Sequence, residues 1–283
     1  MFNNIVLVAE TGSDLTPALA EKYGIYLVPM HVQMGEETRD DGSFPPEDVC
    51  AYYDRTGKVP QTSASAPSDF ETVFDEIHAK YPEKKILHLA YSAITTCSYQ
   101  NAFLAAEDRD YVTSVDTKHV SIGQAAVVLE VAEYLKANPE ATVEEAAAKA
   151  REIADRMQMC FIPKNLDYLR AGGRVSNAAY LGAKLLSLHP LIEILDGKLM
   201  STKKYRGSMA KVVSKLTDEY SENLDPAQPL YLIYGAGLDE KIMADVESIV
   251  RSKGFENFSW VQTGCVIAAH SGPGAFGIVG FAK

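Results

Sequence analysis

Apolar and polar positions along this chain follow two different periods. Near-continuous apolar runs at Ile5–Ala9, Ile25–Gln33, Lys85–Ala90 and Tyr111–Val115 read as strands covered on both faces, because a strand with one wet face would alternate. Between the runs the spacing changes to three and four. Helices are predicted at Pro17–Tyr23, near Val49–Tyr53, and over Asp69–Lys80, Tyr99–Ala106, Ser121–Lys136 and Val143–Met157. Alternating strands and helices of this kind specify a parallel sheet with helices on both faces. Only residues 35–48, GEETRDDGSFPPED, break the rhythm, and they read as an acidic loop.

The second half is patterned differently. Asn165 can cap a short helix carrying Leu166 and Leu169, and Gly172-Gly173 stops it. A second helix is expected from Ser176, with Tyr180, Leu181, Leu185 and Leu188 on one face and Pro190 at its end. LIEIL and KLM then read as two strands joined by Asp196-Gly197, a strong hairpin signal. Helices over Gly207–Tyr220 and Asp239–Lys253 and strands at Leu230–Tyr234, Phe258–Gln262, Cys265–Ala269 and Phe276–Phe281 complete the chain. A shift in composition near Met157–Pro163 marks the expected boundary. The fold class is therefore α/β in two domains, an N-terminal parallel-sheet domain (residues 1–158) and a C-terminal domain with a mixed sheet (residues 159–283).

Charge adds a contrast. The chain carries 27 Lys and Arg against 38 Asp and Glu, a net −11, which argues against broad, salt-driven nucleic-acid binding. Yet Lys164–Lys215 holds ten basic and three acidic residues, a local +7 that suits a docking face or an anionic ligand as well as a plain solvated surface. The start MFNNIVLVAE has neither a basic lead nor a cleavage site, so a signal peptide is not expected. No apolar run approaches the roughly 20 residues of a membrane span. Four scattered cysteines without CxxC spacing fit reduced thiols in the cytoplasm, with no zinc site. Cys97 reads as a small buried residue, because no base is marked for it.

Two hydroxyl-rich loops stand out. Thr62–Ser68 precedes a helix whose capping needs Ser68 alone, so its other hydroxyls are a surplus. Tyr91–Ser98 follows a strand and leads into a helix, which places hydroxyl and backbone N–H donors where an anion can sit. His270, beside a Gly-Pro-Gly turn, can donate to a carboxylate in either protonation state, or can simply satisfy a backbone carbonyl. There is no GxxxxGK[ST] phosphate loop. Gly235-Ala236-Gly237 opens a helix but Glu240 occupies the third glycine position of a dinucleotide signature. Ser271 lacks the flanking glycines of a nucleophile elbow. Abundant hydroxyls and one placed histidine without a catalytic constellation fit binding better than turnover.

These motifs together resemble the DegV family of bacterial fatty-acid-binding proteins, which includes the lipid-carrying subunits of fatty acid kinase. The resemblance spans essentially the full length. It is most specific at Leu166-Asp167-Tyr168-Leu169-Arg170-Ala171-Gly172-Gly173-Arg174-Val175-Ser176 and at His270-Ser271-Gly272-Pro273-Gly274-Ala275. Thr62-Ser63, Tyr99-Gln100-Asn101-Ala102 and Val115-Asp116-Thr117 with Ser121-Ile122-Gly123 support it. The resemblance implies two α/β domains with a long-chain fatty acid between them, its tail in an apolar tunnel. It implies no catalytic residue, no metal and no cofactor in this chain.

Carried over residue by residue, the carboxylate would meet Thr62, Ser63, Ser92, Thr96 and His270. Arg174 and Arg206 would face a separate kinase subunit. Three places depart from the family pattern. Its Asp-Ser near the first strand is Glu10-Thr11, its Thr-Ser-x-Pro-Ser loop is Thr62-Ser63-Ala64-Ser65-Ala66, and its Ser-Gly-Thr is Thr96-Cys97-Ser98. Two other readings stay open at this point. One is a dihydroxyacetone-kinase-like subunit whose His270 acts on a small polar ligand. The other is an interaction protein whose basic island binds an acidic partner.

Overall fold

In the computed structural model, which describes Phe2, residues 4–173 and residues 188–283, β1 (Ile5–Glu10) is buried at every position. The reason is its central place in a four-stranded sheet ordered β2-β1-β6-β7, with β2 at Tyr26–Val28, β6 at Lys85–Ala90 and β7 at Val112–Asp116. All three pairings are parallel, with Leu7 opposite Leu87 and Leu87 opposite Thr113. Helix α3 (Pro67–Lys80) turns Phe70, Phe74 and Ile77 onto Val6, Val8 and Ile86. Helix α5 (Ser121–Ala137) is apolar on almost every face because it packs against β1, β6 and α6 (Val143–Arg156). The chain runs from β1 to one side and from β6 to the other, so the two strands flank a topological switch point. Loops at the carboxyl ends of such strands are where α/β sheets hold ligands.

The structure divides into two units, residues 1–31, 63–156 and 196–198 in the first and residues 32–62, 157–195 and 199–283 in the second. One crossing falls at Met157, and residues 32–62 group with the second unit. The second unit carries a six-stranded sheet ordered β10-β9-β8-β13-β11-β12. These strands are β8 (Met157–Ile162), β9 (Leu188–Leu195), β10 (Lys198–Arg206), β11 (Leu230–Tyr234), β12 (Phe258–Gln262) and β13 (Phe276–Phe281). β11 and β12 are parallel, whereas β13 runs antiparallel to β11 and β8, so the sheet is mixed as expected. Its core is built by α8 (Met209–Ser221) and α9 (Glu240–Ser252), which bury Val212, Leu216, Ile242 and Val246 over Ile162 and Ile278. The Asp196-Gly197 turn joins β9 to β10 with both residues in the left-handed region, at φ 46° and 80°, as a type I′ hairpin requires.

Six expectations are corrected. Cys97 is exposed rather than buried. Ser68 lies inside α3 and does not cap it; Asp69 does, accepting from Ala66 N at 2.7 Å. The run Ile25–Gln33 is two strands, β2 and β3 (His31–Met34), because Pro29 supplies no N–H and interrupts the ladder. The acidic stretch contains β4 (Glu37–Asp40), which joins β3 and β5 (Gln61–Ser63) in a three-stranded sheet. Pro190 does not end a helix; it lies within β9. Cys265–Ala269 is helical, part of α10 (Cys265–Ser271). A short apolar run cannot declare its own period, and here Asp41 decides it by capping the helix from outside. The helix expected from Ser176, and Arg174, lie outside the described residues.

Candidate functional site

In the second unit the site is built around His270, half-buried near the end of α10. The Asp41 carboxylate, in the loop after β4, accepts from Cys265 N at 2.9 Å and Val266 N at 3.2 Å. It thereby satisfies two of the orphan donors at the start of α10. Thr62 of β5 places Oγ1 2.8 Å from His270 Nε2. Two residues 208 positions apart thus form one polar pair.

On another side of the imidazole is Gly172, the residue after α7 (Leu166–Ala171), whose own start is capped by the Asn165 side chain as expected. A Cβ at position 172 would stand 2.3 Å from His270 Nδ1. Glycine there lets the backbone touch the ring. Tyr168 of α7 is fully buried, and burial first, then the neighbouring Cys50 and Asp54, pushes its phenol well above the ordinary value. Its ring packs against Gly272, directly beyond His270 and Ser271.

Replacing Asp41 by alanine strands two buried N–H groups and is expected to cost about 2 kcal/mol, read as a shift in urea midpoint at unchanged slope. Asp41→Asn keeps an acceptor and should lose less than half of that.

In the first unit the turn between β6 and α4 (Ser98–Ala105) carries Ser92 and Thr96. Ser92 is buried, and its hydroxyl donates to Gly197 O at 2.8 Å. Thr96 is half-buried and Ser63 is exposed. Asp116, at the end of β7, accepts from Ala93 N and Lys118 N at 3.2 and 2.8 Å. Behind the turn lies Glu10, the last residue of β1 and fully buried. It accepts from Tyr91 N at 3.0 Å, Ser98 Oγ at 2.7 Å and Gln124 Nε2 at 2.6 Å. His88 Nε2 lies 3.4 Å from it. Burial pushes the Glu10 carboxyl up, but the charge of His88 and the donors from His88, Ser98 and Tyr91 outweigh it and hold the group below the usual carboxylate value.

The structure therefore joins Thr62 to His270 in one unit and sets Ser92 and Thr96 on one turn of the other. Arg206 ends β10 and is exposed. Glu10, Asp41 and Gly172 were not picked out by sequence reasoning as site residues. Among the described residues, no group of three or more His, Cys, Asp or Glu could hold a metal ion. No helix among them is long and apolar enough to cross a membrane. A threonine hydroxyl paired with an imidazole in the second unit, and a hydroxyl-bearing turn after β6 in the first, each offer donors that suit an oxyanion such as a carboxylate.

The family model described as "Uncharacterised protein, DegV family" matches residues 4–283. A DegV domain-containing protein of Caldanaerobacter subterraneus subsp. tengcongensis is 27% identical over 280 residues, 97% of each chain. A Thermus thermophilus DegV family protein, described for its fatty acid binding, superposes with a TM-score of 0.85 at 26% identity, covering 99% of this chain and 100% of that one. The fatty acid kinase B3 protein of Streptococcus pneumoniae, loaded with linoleic acid, shares the fold with a TM-score of 0.83 at 17% identity, over 99% of this chain and 100% of that one. This chain belongs to the DegV family.

Proposed function

We propose that the protein is a non-catalytic carrier of a long-chain fatty acid in the cytoplasm. The observation that carries the reading is the Thr62–His270 pair at 2.8 Å, a donor set for a carboxylate. If the imidazole N–H is turned to Thr62 Oγ1, the threonine hydroxyl hydrogen is free for a ligand oxygen, and each hydrogen bond strengthens the other. Ser63, Ser92 and Thr96 supply further hydroxyls for the head group, Ser92 by exchanging its present acceptor, Gly197 O. The tail supplies most of the affinity, because each buried methylene contributes about 0.8 kcal/mol. The fatty acid binding described for the Thermus thermophilus relative supports this reading over a small polar substrate.

The carrier would present the carboxylate to a separate, ATP-using fatty acid kinase subunit, docked at Arg174 and Arg206. This chain has no nucleotide-cradling motif of its own, and the basic stretch offers the partner a face. Native mass spectrometry tests the core of the reading. An added mass equal to oleate or palmitate is expected, and a clean unliganded mass after adding either acid overturns it. Arg206→Glu should weaken kinase association about tenfold while leaving oleate binding intact, as expected for a charge at the rim of an interface. Unchanged association in a pull-down titration would remove Arg206 from the docking face.

A further inference from the structure

We propose that Glu10 is a positioning residue for the head group, because its one carboxylate ties down both ends of the turn that carries Ser92 and Thr96. This inference rests on the carrier reading above. The geometry is specific. Oε2 accepts from the backbone N of Tyr91, the first residue of the turn, and Oε1 accepts from Oγ of Ser98, the last. Gln124 Nε2 also donates to Oε2, and the same nitrogen donates to Leu89 O at 2.8 Å, so the carboxylate is bound to α5 and to the end of β6 as well. A buried carboxylate is costly unless its lone pairs are matched, and here donors meet both oxygens.

The two halves of the turn depend on it unequally. Residues 92–95 have anchors besides Glu10: Ser92 N donates to His119 O, Ala93 N to Asp116 Oδ1 and Thr95 N to Ser92 O. The half that bears Thr96 leads directly into Ser98, whose hydroxyl is the link to Glu10. Loss of the carboxylate therefore frees Thr96 first. The turn residues that bond to Glu10 are its two ends, Tyr91 and Ser98, so Glu10 acts on the ligand through the backbone of the turn.

The test pairs Glu10→Ala, which removes both ties, with Glu10→Gln, which can keep them. In the glutamine variant the amide oxygen can accept from Tyr91 N and Gln124 Nε2 while its NH2 faces Ser98 Oγ, a hydroxyl able to accept. Ser98→Ala cuts one tie only, and serves if Glu10→Ala fails to fold. Oleate affinity is measured well below each variant's melting temperature, alongside amide hydrogen exchange of residues 91–98. Expected are an affinity loss of about tenfold for Glu10→Ala, three- to tenfold for Ser98→Ala and less than threefold for Glu10→Gln, which is roughly the worth of one or two hydrogen bonds. Faster exchange should be confined to the turn, and in Ser98→Ala to residues 96–98. A merely structural role would lower the melting temperature while leaving the affinity of the folded protein unchanged. Ser98→Ala and Glu10→Ala that fold and keep wild-type affinity and exchange overturn the proposal. Wild-type protein that binds no oleate overturns the carrier reading instead, and the exchange data still decide whether Glu10 holds the turn.

Discussion

Gly272→Ala is expected to destabilise the second unit by about 3 kcal/mol, lowering its melting temperature by roughly 6–12 °C for a unit of this size. Two independent costs combine. Gly272 has φ 70° and ψ 177°, a region essentially reserved for glycine, and holding another residue there costs about 1–3 kcal/mol. The added Cβ would also stand 2.7 Å from Tyr168 Cδ2 and 3.0 Å from Cγ. Tyr168 is fully buried and its ring packs at a tilt against that of Tyr53, with centroids 5.0 Å apart, so it has little room to retreat. Overpacking of this kind costs a further 1–3 kcal/mol. The substitution lies two residues from His270, and relaxation of the clash pushes the end of α10 away from α7. A thermal or urea titration checks the figure, and a loss below about 1 kcal/mol would mean the turn can choose another path.

The parts of this molecule that the sequence declares are those with their cause nearby. The apolar runs of β1, β6 and β7 announce a doubly covered parallel sheet, and Asp196-Gly197 announces its hairpin, because each signal sits in the segment it shapes. The hydroxyl-rich loop and the histidine beside a tight turn marked the character of a site, and the resemblance to the DegV family pointed to Thr62 and His270 within it.

What stayed hidden depends on partners far away in the chain. Cys265–Ser271 is a helix whose first donors are met by Asp41, more than two hundred residues earlier, inside a stretch that reads as an acidic loop. Glu10 looks like the polar end of a strand, yet its partners are at 91, 98 and 124. Ser92 seems an uncommitted hydroxyl until Gly197 O is found across from it. Loop hydroxyl counts gave the character of the site, while the residues that hold it in place needed the fold.

Gly172→Ala separates function from stability most sharply. Gly172 has φ −76° and ψ 0°, an ordinary helical conformation that alanine accepts, and the change would by itself favour the end of α7 by up to about 1 kcal/mol. The conflict is with the imidazole alone, since the new Cβ would lie 2.3 Å from His270 Nδ1 and 2.7 Å from Cε1. A histidine ring can swing about its side-chain torsions, so the clash is relieved by moving the ring and breaking the 2.8 Å contact with Thr62. Losing one such hydrogen bond costs about 1 kcal/mol, which the helix gain largely offsets. Stability should therefore change by less than about 1 kcal/mol, while on the proposed carrier reading oleate affinity falls tenfold or more because the proposed head-group donor has left its place. Since the variant acts only through the ring, combining it with His270→Ala should be no worse than His270→Ala alone, the non-additivity expected of residues in contact. Additive losses in the double variant, or oleate affinity kept within twofold in Gly172→Ala, would show that the ring's position against Gly172 is not what the ligand reads.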